Sequence, residues 1–323
     1  LPRPGGLPHG ERVTSVTKTR IGWTDLPGHV RAAVEEILGD RVVTAVSQPG
    51  GFSPGTADRV RTAGGKRAFV KAVSPAQNEH SPRLHRTEAL VTAALPPAAP
   101  APRLLGSYDD GHWVALVLVD VEGRHPVTPW DAAELAAVLS TLERMAAVLT
   151  PASVAVAPTA ADQLGYDFAG WRRIAERPPA DLDPWARDRL PELCAASERG
   201  LAALTGDTLC HLDVRADNLL LRTDGTVVVV DWPWACRGPA WLDSLLILVN
   251  VRLYGGHDVE ALLRARPFLA DVDPAAVTGV LTGFAGFFLD GSRQPAPPGI
   301  PTVRAFQRVQ ADAVLDWLTH RLP

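Results

Sequence analysis

Five polar residues crowd into eight positions of an otherwise apolar stretch, "HLDVRADNLLL" at 211–221: His211, Asp213, Arg215, Asp217 and Asn218. Shortly after, "VVVVDW" at 227–232 ends four valines on another carboxylate, Asp231. The "TDG" turn between the two runs makes them antiparallel neighbours, so the start of the first lies beside the end of the second. Asn218 and Asp231 are then side by side, with Asp213 a loop's reach away. An amide oxygen and a carboxylate so placed suit a hard cation such as Mg²⁺, which keeps waters and takes one or two carboxylates plus phosphate. Singly, each of these residues is also ordinary turn and cap chemistry. The three in this order and spacing carry the reading.

A second cluster lies upstream. Only three of the 32 basic residues are lysines, Lys18, Lys66 and Lys71, so a lysine among apolar residues calls for a reason. In "RAFVKAV" strand alternation puts Phe69, Lys71 and Val73 on one face and Ala68, Val70 and Ala72 on the other. With both faces apolar, the ammonium needs an anion, unless it snorkels from an edge strand to water. Glu88 is the candidate partner: Leu84, Glu88, Val91 and Leu95 fall at i, i+4, i+7 and i+11, on one helical stripe. A carboxylate at the edge of that stripe could equally reach water. Together, the strand lysine and the glutamate of the next helix favour a buried ion pair. The segment "PGGFSPGT" places Gly50, Gly51, Ser53 and Gly55 between two strands, where free N–H groups could cradle phosphate oxygens. It matches no phosphate-loop motif and reads as well as a plain hairpin loop.

The elements that must position these groups follow from periodicity. A helix runs from Leu26 to Leu38 and Gly39 ends it. Strands at "RVVTAVSQ", "ADRVRT", "RAFVKAV", "RLLGSY" and "HWVALVLV" follow, with the helix "RLHRTEALVTAAL" crossing between the third and fourth. After a hinge at Val119–Gly123 the chain turns helical: roughly 131–149, 162–175, 184–204, 239–251, 258–266, 274–289 and 302–321. The only later strands expected are short ones near 218–222 and 226–230. A small β-rich part before a large α-rich part indicates an α+β protein of two lobes, 21–120 and 121–323, behind a disordered tail at 1–20.

Bulk composition narrows the function. A net charge of −4 gives no nucleic-acid footprint. No apolar run approaches the ~20 residues a membrane span needs. The three cysteines, Cys194, Cys210 and Cys236, show neither metal-ligand spacing nor a disulfide framework, which points to a reducing cytoplasm. Cys210 ends an apolar run and reads as core. The oligomeric state is open in the sequence, with a monomer expected.

His211-x-Asp213-x-x-x-x-Asn218 followed by Asp231-Trp232 resembles the protein-kinase-like phosphotransferases, most of all the aminoglycoside phosphotransferase group of small-molecule kinases. "DWPWACRGPAWLD" at 231–243 is similar to that group's D-[FW]-x-x-[AG]-x-x-G-x-P-x-x-D pattern, with small offsets, and puts Asp243 at its final carboxylate. The resemblance spans about 42–250 and is most specific over 209–243. It implies ATP as phosphoryl donor and Mg²⁺ held by Asn218 and Asp231. Asp213 would be the catalytic aspartate, and Lys71, held by Glu88, would contact the α- and β-phosphates. The glycine-rich loop would cover the phosphates, and backbone near Val119 and Val121 would hold adenine. Asp243 would tie down the catalytic loop. Arg215 departs from the histidine common in small-molecule kinases; it could touch the transferred phosphate or pair with Asp217. Pro233 replaces a frequent glycine, which argues against activation-loop switching.

The acceptor is expected to be a small molecule with a free hydroxyl: an aminoglycoside, an amino sugar or a similar metabolite. An aminoglycoside site would need carboxylates. Asp258, Glu260, Asp271, Asp273, Asp290, Asp312 and Asp316 are available in the second lobe, but scattered. "LLILVNVRLYGG" and "GFAGFFLDG" beside them read as core. The alternative is a catalytically silent nucleotide-binding regulatory protein on the same fold. A protein kinase is disfavoured, since Asp243 follows Asp231 by only twelve positions.

Overall fold

A computed structural model describes residues 20–49, 54–154 and 157–322. Positions 1–19 of the expected tail, and Gly50, Gly51 and Ser53 of the expected phosphate loop, lie outside them. Among the described residues there are two hydrophobic cores, one before the hinge and a larger one after it that also takes in Val91.

The first is built on a five-stranded antiparallel sheet in the order β1-β2-β3-β5-β4: β1 (Val42–Ser47), β2 (Thr56–Thr62), β3 (Arg67–Val73), β4 (Leu104–Asp109) and β5 (Val114–Val119). Helix α1 (Gly28–Leu38) ends on Gly39 at φ +70°, a left-handed conformation that glycine adopts without penalty. Its buried Val30, Val34 and Leu38 join Ala68, Val70 and Ala72 of β3 in one cluster. Helix α2 (Ser81–Ala94) packs on β3 and β5 as well. A sheet covered on both faces explains why β5 reads as an unbroken apolar run rather than an alternating one. Gly55 opens β2 so close to β3 that an added Cβ would lie 2.2 Å from the Ala72 carbonyl oxygen. Strand packing alone therefore requires glycine there.

The connection 120–123 then crosses to the second lobe and is fixed there. Arg124 and Leu221 exchange both backbone hydrogen bonds, 3.0 and 2.7 Å. The larger lobe contains α3 (Ala132–Val148), α4 (Ala160–Phe168), α5 (Gly170–Glu176), α6 (Pro184–Asp188), α7 (Leu190–Ala202), α8 (Leu242–Tyr254), α9 (Val259–Ala265), α10 (Pro267–Ala270), α11 (Pro274–Ser292) and α12 (Val303–Arg321). Two small antiparallel pairs complete it, β6 (Thr208–Cys210) with β9 (Cys236–Gly238), and β7 (Leu219–Leu221) with β8 (Val227–Val229).

Four expectations are corrected. The single helix expected at 162–175 is two, α4 and α5, meeting where Gly170 lets the Gly286 carbonyl approach to 2.5 Å of a would-be Cβ. The helix expected at 184–204 is broken into α6 and α7, with Pro191 in the first turn of α7, where its missing N–H leaves nothing unsatisfied. The β6–β9 pair was not anticipated, because three residues are too few to show alternation. Contrary to the reading that no apolar run approaches spanning length, α11 is long and apolar enough by length and composition to cross a membrane. It is 67% buried against α7, α5 and α12, as a central core helix is. Cys210 is core, as expected.

Candidate active site

The site is assembled at the seam between the lobes. Lys71, buried on β3, donates to Glu88 Oε2 on α2 at 2.5 Å and to Asp231 Oδ1 at 2.7 Å. The ion pair expected from the sequence is therefore present, and a third member comes from the other lobe. Burial pulls the ammonium pKa down, but the two carboxylates outweigh it and hold it above its ordinary value. Burial also pushes Asp231 up, yet Lys71, with His211 and Arg215 nearby, holds its carboxyl well below the usual range. Glu88, the more deeply buried partner, is raised by desolvation despite Lys71.

Asp231 closes β8 at φ +70°, in the left-handed region, and Leu212 in the catalytic loop stands at φ +68°. Two non-glycine residues so strained persist only where their surroundings over-determine them. Asp243, at the start of α8, does this for Leu212: its buried carboxylate accepts from the His211 N–H at 2.7 Å and the Leu212 N–H at 2.9 Å. His211 ties the loop to the strand end. Its Nε2–H donates to the Val230 carbonyl at 3.0 Å, and its Nδ1 accepts from the Asp213 N–H at 3.2 Å. Burial lowers the His211 pKa, which suits the neutral ring those two bonds require.

Asn218 and Asp213 meet as expected. The Asn218 amide donates to the Asp213 carbonyl at 2.8 Å and to its Oδ2 at 3.0 Å. Asn218 Oδ1 and Asp231 Oδ2 take no hydrogen bond among the described residues. Burial, with Asp231 and Asp217 nearby, raises Asp213 to about 6 even though Arg215 pulls the other way. Arg215 pairs with Asp213 and with Asp217, the latter through Nε and Nη2 at 3.0 Å each. Of its two expected roles, the Asp217 bridge is the one seen.

The hinge residues are already engaged. The Val119 N–H donates to the Arg103 carbonyl at 2.9 Å, and the Val121 carbonyl accepts from the Arg59 guanidinium.

From the Lys71–Asp231 end a cleft of 620 Å³ opens into the helical lobe. None of the seven carboxylates considered for an acceptor lines it. Asp258 and Asp273 cap α9 and α11, and Asp290, Asp312, Asp316 and Glu260 pair with Arg173, Arg308, Arg252 and Arg321. Asp167, at the end of α4, does line the cleft and was not singled out from the sequence. Its signal was available: it lies three residues after buried Leu164 and just before buried Phe168, beside the inward stripe of α4. His85 was missed as well. Buried beside Lys71, it uses Nδ1 on the Ser81 carbonyl and leaves Nε2 without a partner. Burial, helped by Lys71, lowers its pKa to about 3. The runs read as core are core and cleft wall at once: Leu246 and Val249 of α8 and Phe284 and Phe288 of α11 do both.

The phosphotransferase enzyme family matches residues 49–276. Solved structures share the fold. A choline/ethanolamine kinase family protein from Mesorhizobium loti superposes with a TM-score of 0.58 at 16% identity, over 91% of this chain and 94% of that one. An aminoglycoside phosphotransferase from Alicyclobacillus acidocaldarius gives 0.54 at 18%, over 87% and 91%. A thermostable mutant of the aminoglycoside phosphotransferase APH(4)-Ia, in ternary complex with ADP and hygromycin B, gives 0.56 at 16%, over 89% and 98%. A search of curated proteins gave no match. With the family's motif residues gathered at one end of a cleft and its match covering most of the chain, this protein belongs to the phosphotransferase enzyme family and is a small-molecule kinase.

Proposed function

We propose that the protein transfers the γ-phosphoryl group of ATP, with Mg²⁺, to a hydroxyl of a small molecule bound in the helical lobe. The observation that carries this is the convergence of Lys71, Asp213, Asn218 and Asp231 at one end of a cleft whose remainder is built by the second lobe. The free oxygens of Asn218 and Asp231 are hard donors of the kind Mg²⁺ takes. Among the described residues no three His, Cys, Asp or Glu side chains form a complete cage, which fits an ion that keeps waters and phosphate oxygens in its shell. When bound, Mg²⁺ would supply neutralisation of phosphate charge.

Asp213 supports the transfer by position and by its raised pKa. The acceptor oxygen forms a bond to the γ-phosphorus, and the bond from that phosphorus to the β,γ-bridging oxygen breaks. ADP leaves with the electron pair, and the hydroxyl proton passes to the Asp213 carboxylate. Little covalent work falls to the protein, so orientation and charge stabilisation carry the catalysis. Asp213 reaches the reaction already ionised and held by Asn218, while Lys71 offers a compact cation beside Asp231.

The test is ADP release with Mg·ATP across a panel of hydroxyl-bearing acceptors, with Asp213→Ala as control and a Mg·ATP binding titration on Asp231→Ala. Acceptor-dependent ADP release lost in Asp213→Ala, together with weakened Mg·ATP binding in Asp231→Ala, supports the reading. Mg·ATP binding without turnover of any acceptor would favour a silent nucleotide-binding protein instead.

A further inference from the structure

The lining of the cleft beyond the transfer end bears on the acceptor's chemistry, an inference that rests on the kinase reading above. Among the described residues, four carboxylates reach the cleft: Glu88, Asp213, Asp231 and Asp167. The first three are engaged, Glu88 and Asp231 by Lys71 and Asp213 by Arg215. Only Asp167 is left for a ligand. Its carboxylate takes no hydrogen bond or ion pair among the described residues. The nearest cation, Arg173, is committed elsewhere: it donates to Asp290 at 2.8 Å and to the Tyr166 carbonyl at 2.8 Å, and it covers the Tyr166 ring at 4.1 Å.

Beside the polar Ser81, His85, Gln163, Asn250, Gln307 and Gln310, the rest of the wall beyond the transfer end is aromatic and aliphatic. Phe284 and Phe288 are buried, Phe287 and Phe306 are half-buried, and Trp234 stands 40% exposed. Phe287 and Phe288 are tilted against each other with centroids 5.1 Å apart, and Phe288 stacks on Phe284 at 5.9 Å. Such a wall removes water from what it holds. A polycation would have to desolvate several ammonium groups against phenyl rings with a single free carboxylate for all of them. Each unpaired ammonium would carry a large desolvation penalty, of which cation–π contact returns only a part. A mainly apolar molecule with one positive charge meets no such penalty.

We propose that the acceptor is a predominantly apolar, ring-bearing alcohol with a single basic nitrogen. Its body lies against the phenylalanine wall, its nitrogen pairs with Asp167, and its hydroxyl faces Asp213. This acceptor class excludes polycationic aminoglycosides, whose several ammonium groups would outnumber the one available carboxylate.

The experiment compares three probe sets at fixed Mg·ATP: apolar amino alcohols of rising size (phenylalaninol, tryptophanol, an aryloxypropanolamine), their counterparts lacking the nitrogen, and kanamycin with neomycin. ADP release and equilibrium binding are read for each, and Mg·ATP binding is measured separately. The expected result is tightest binding and turnover among the amino alcohols, little for the neutral alcohols and none for the aminoglycosides. Asp167→Asn should raise the KM of the amino alcohols at least tenfold, change that of the neutral alcohols less than twofold and leave Mg·ATP affinity unmoved. Trp234→Ala, at an exposed position that does not threaten folding, should weaken both apolar sets alike. Aminoglycoside turnover exceeding that of the amino alcohols would overturn the proposal. So would an Asp167→Asn effect equal for charged and neutral probes, or failure of every apolar amino alcohol to bind while Mg·ATP binds. Failure of Mg·ATP itself to bind would instead overturn the kinase reading beneath it.

Discussion

Asp213 is a carboxylate placed where ionisation is disfavoured, and that has consequences for both rate and stability. With burial raising it to about 6, it is protonated below that pH and unable to accept the acceptor's proton. The acid limb of kcat/KM should therefore fall through about pH 6, and it should be absent from the residual activity of Asp213→Asn. The stability effect has a definite sign. A carboxyl raised in the folded state favours folding when protonated, so its penalty is absent below the ordinary carboxyl range and complete above about pH 6. Replacing Asp213 by Asn should stabilise the protein by about 2 kcal/mol at pH 8 and by nothing near pH 3, as urea titrations at the two pH values will show. A loss of stability at pH 8 would mean the Arg215 contact outweighs burial. The opposite logic holds at Lys71. Lys71→Met leaves Glu88 buried without its cation and should cost about 3 kcal/mol. Adding Glu88→Leu should restore most of that stability but none of the activity, a pattern a thermal melt and an ADP assay distinguish. These residues were legible in the sequence because their types are improbable where they stand, a lysine inside an apolar strand and two carboxylates with an amide flanking one hairpin. Asp167 and His85 were harder to see, since an acid beside a helix's inward stripe or a buried histidine gains meaning only from what the other lobe or a distant helix sets opposite.

At the scale of elements, the helical lobe is organised around α11, whose small residues let its neighbours approach. A Cβ on Gly200 of α7 would lie 2.2 Å from the Gly279 carbonyl carbon and oxygen, and one on Gly279 would lie 2.7 Å from the Gly200 nitrogen. Neither position can yield, because the obstructing atoms are backbone. Gly200→Ala should accordingly destabilise by about 2–3 kcal/mol through overpacking, although alanine has the better helix propensity. Gly165, in α4, has nothing within 4 Å of a would-be Cβ. Gly165→Ala should therefore be neutral or slightly stabilising, and the difference between the two in a denaturant titration isolates packing from propensity. The same residues show why helix existence was readable but helix continuity was not. Apolar spacing at 162–175 signals a helix whether or not it breaks. The break at Ala169–Gly170 is imposed by the approach of Gly286, more than a hundred residues later. The β6–β9 pair is likewise a consequence of where α3, α4 and α8 leave those segments, since α3 contacts β6 and α4 contacts β9.

For the whole molecule, the two lobes also meet across the cleft mouth, away from the hinge. Asn78, between β3 and α2, donates through Nδ2 to the Pro298 carbonyl at 3.1 Å, reaching a loop that precedes α12. Gly299 in that loop stands at φ +74° with Pro54 and the Gln77 carbonyl close by. The loop leads directly into Ile300, Val303 and Phe306, which form part of the acceptor wall. Opening the lobes therefore moves that wall relative to Lys71. Asn78 has a second task, since its Oδ1 accepts from His80 and Ser81 at the start of α2. Asn78→Asp separates the two, because it keeps the accepting oxygen and replaces the donor with a group that repels the Pro298 carbonyl. Loss of one such hydrogen bond is worth about 1 kcal/mol. The expected outcome is a roughly fivefold rise in the acceptor's KM, with the KM for ATP little changed. Asn78→Ala removes the cap as well and should lower both stability and ATP affinity, because α2 carries Glu88. If Asn78→Asp shifted both substrates equally, the contact would be holding the helix and its ion pair rather than the cleft mouth. A change confined to the acceptor would make this contact the point at which lobe closure and acceptor binding are coupled.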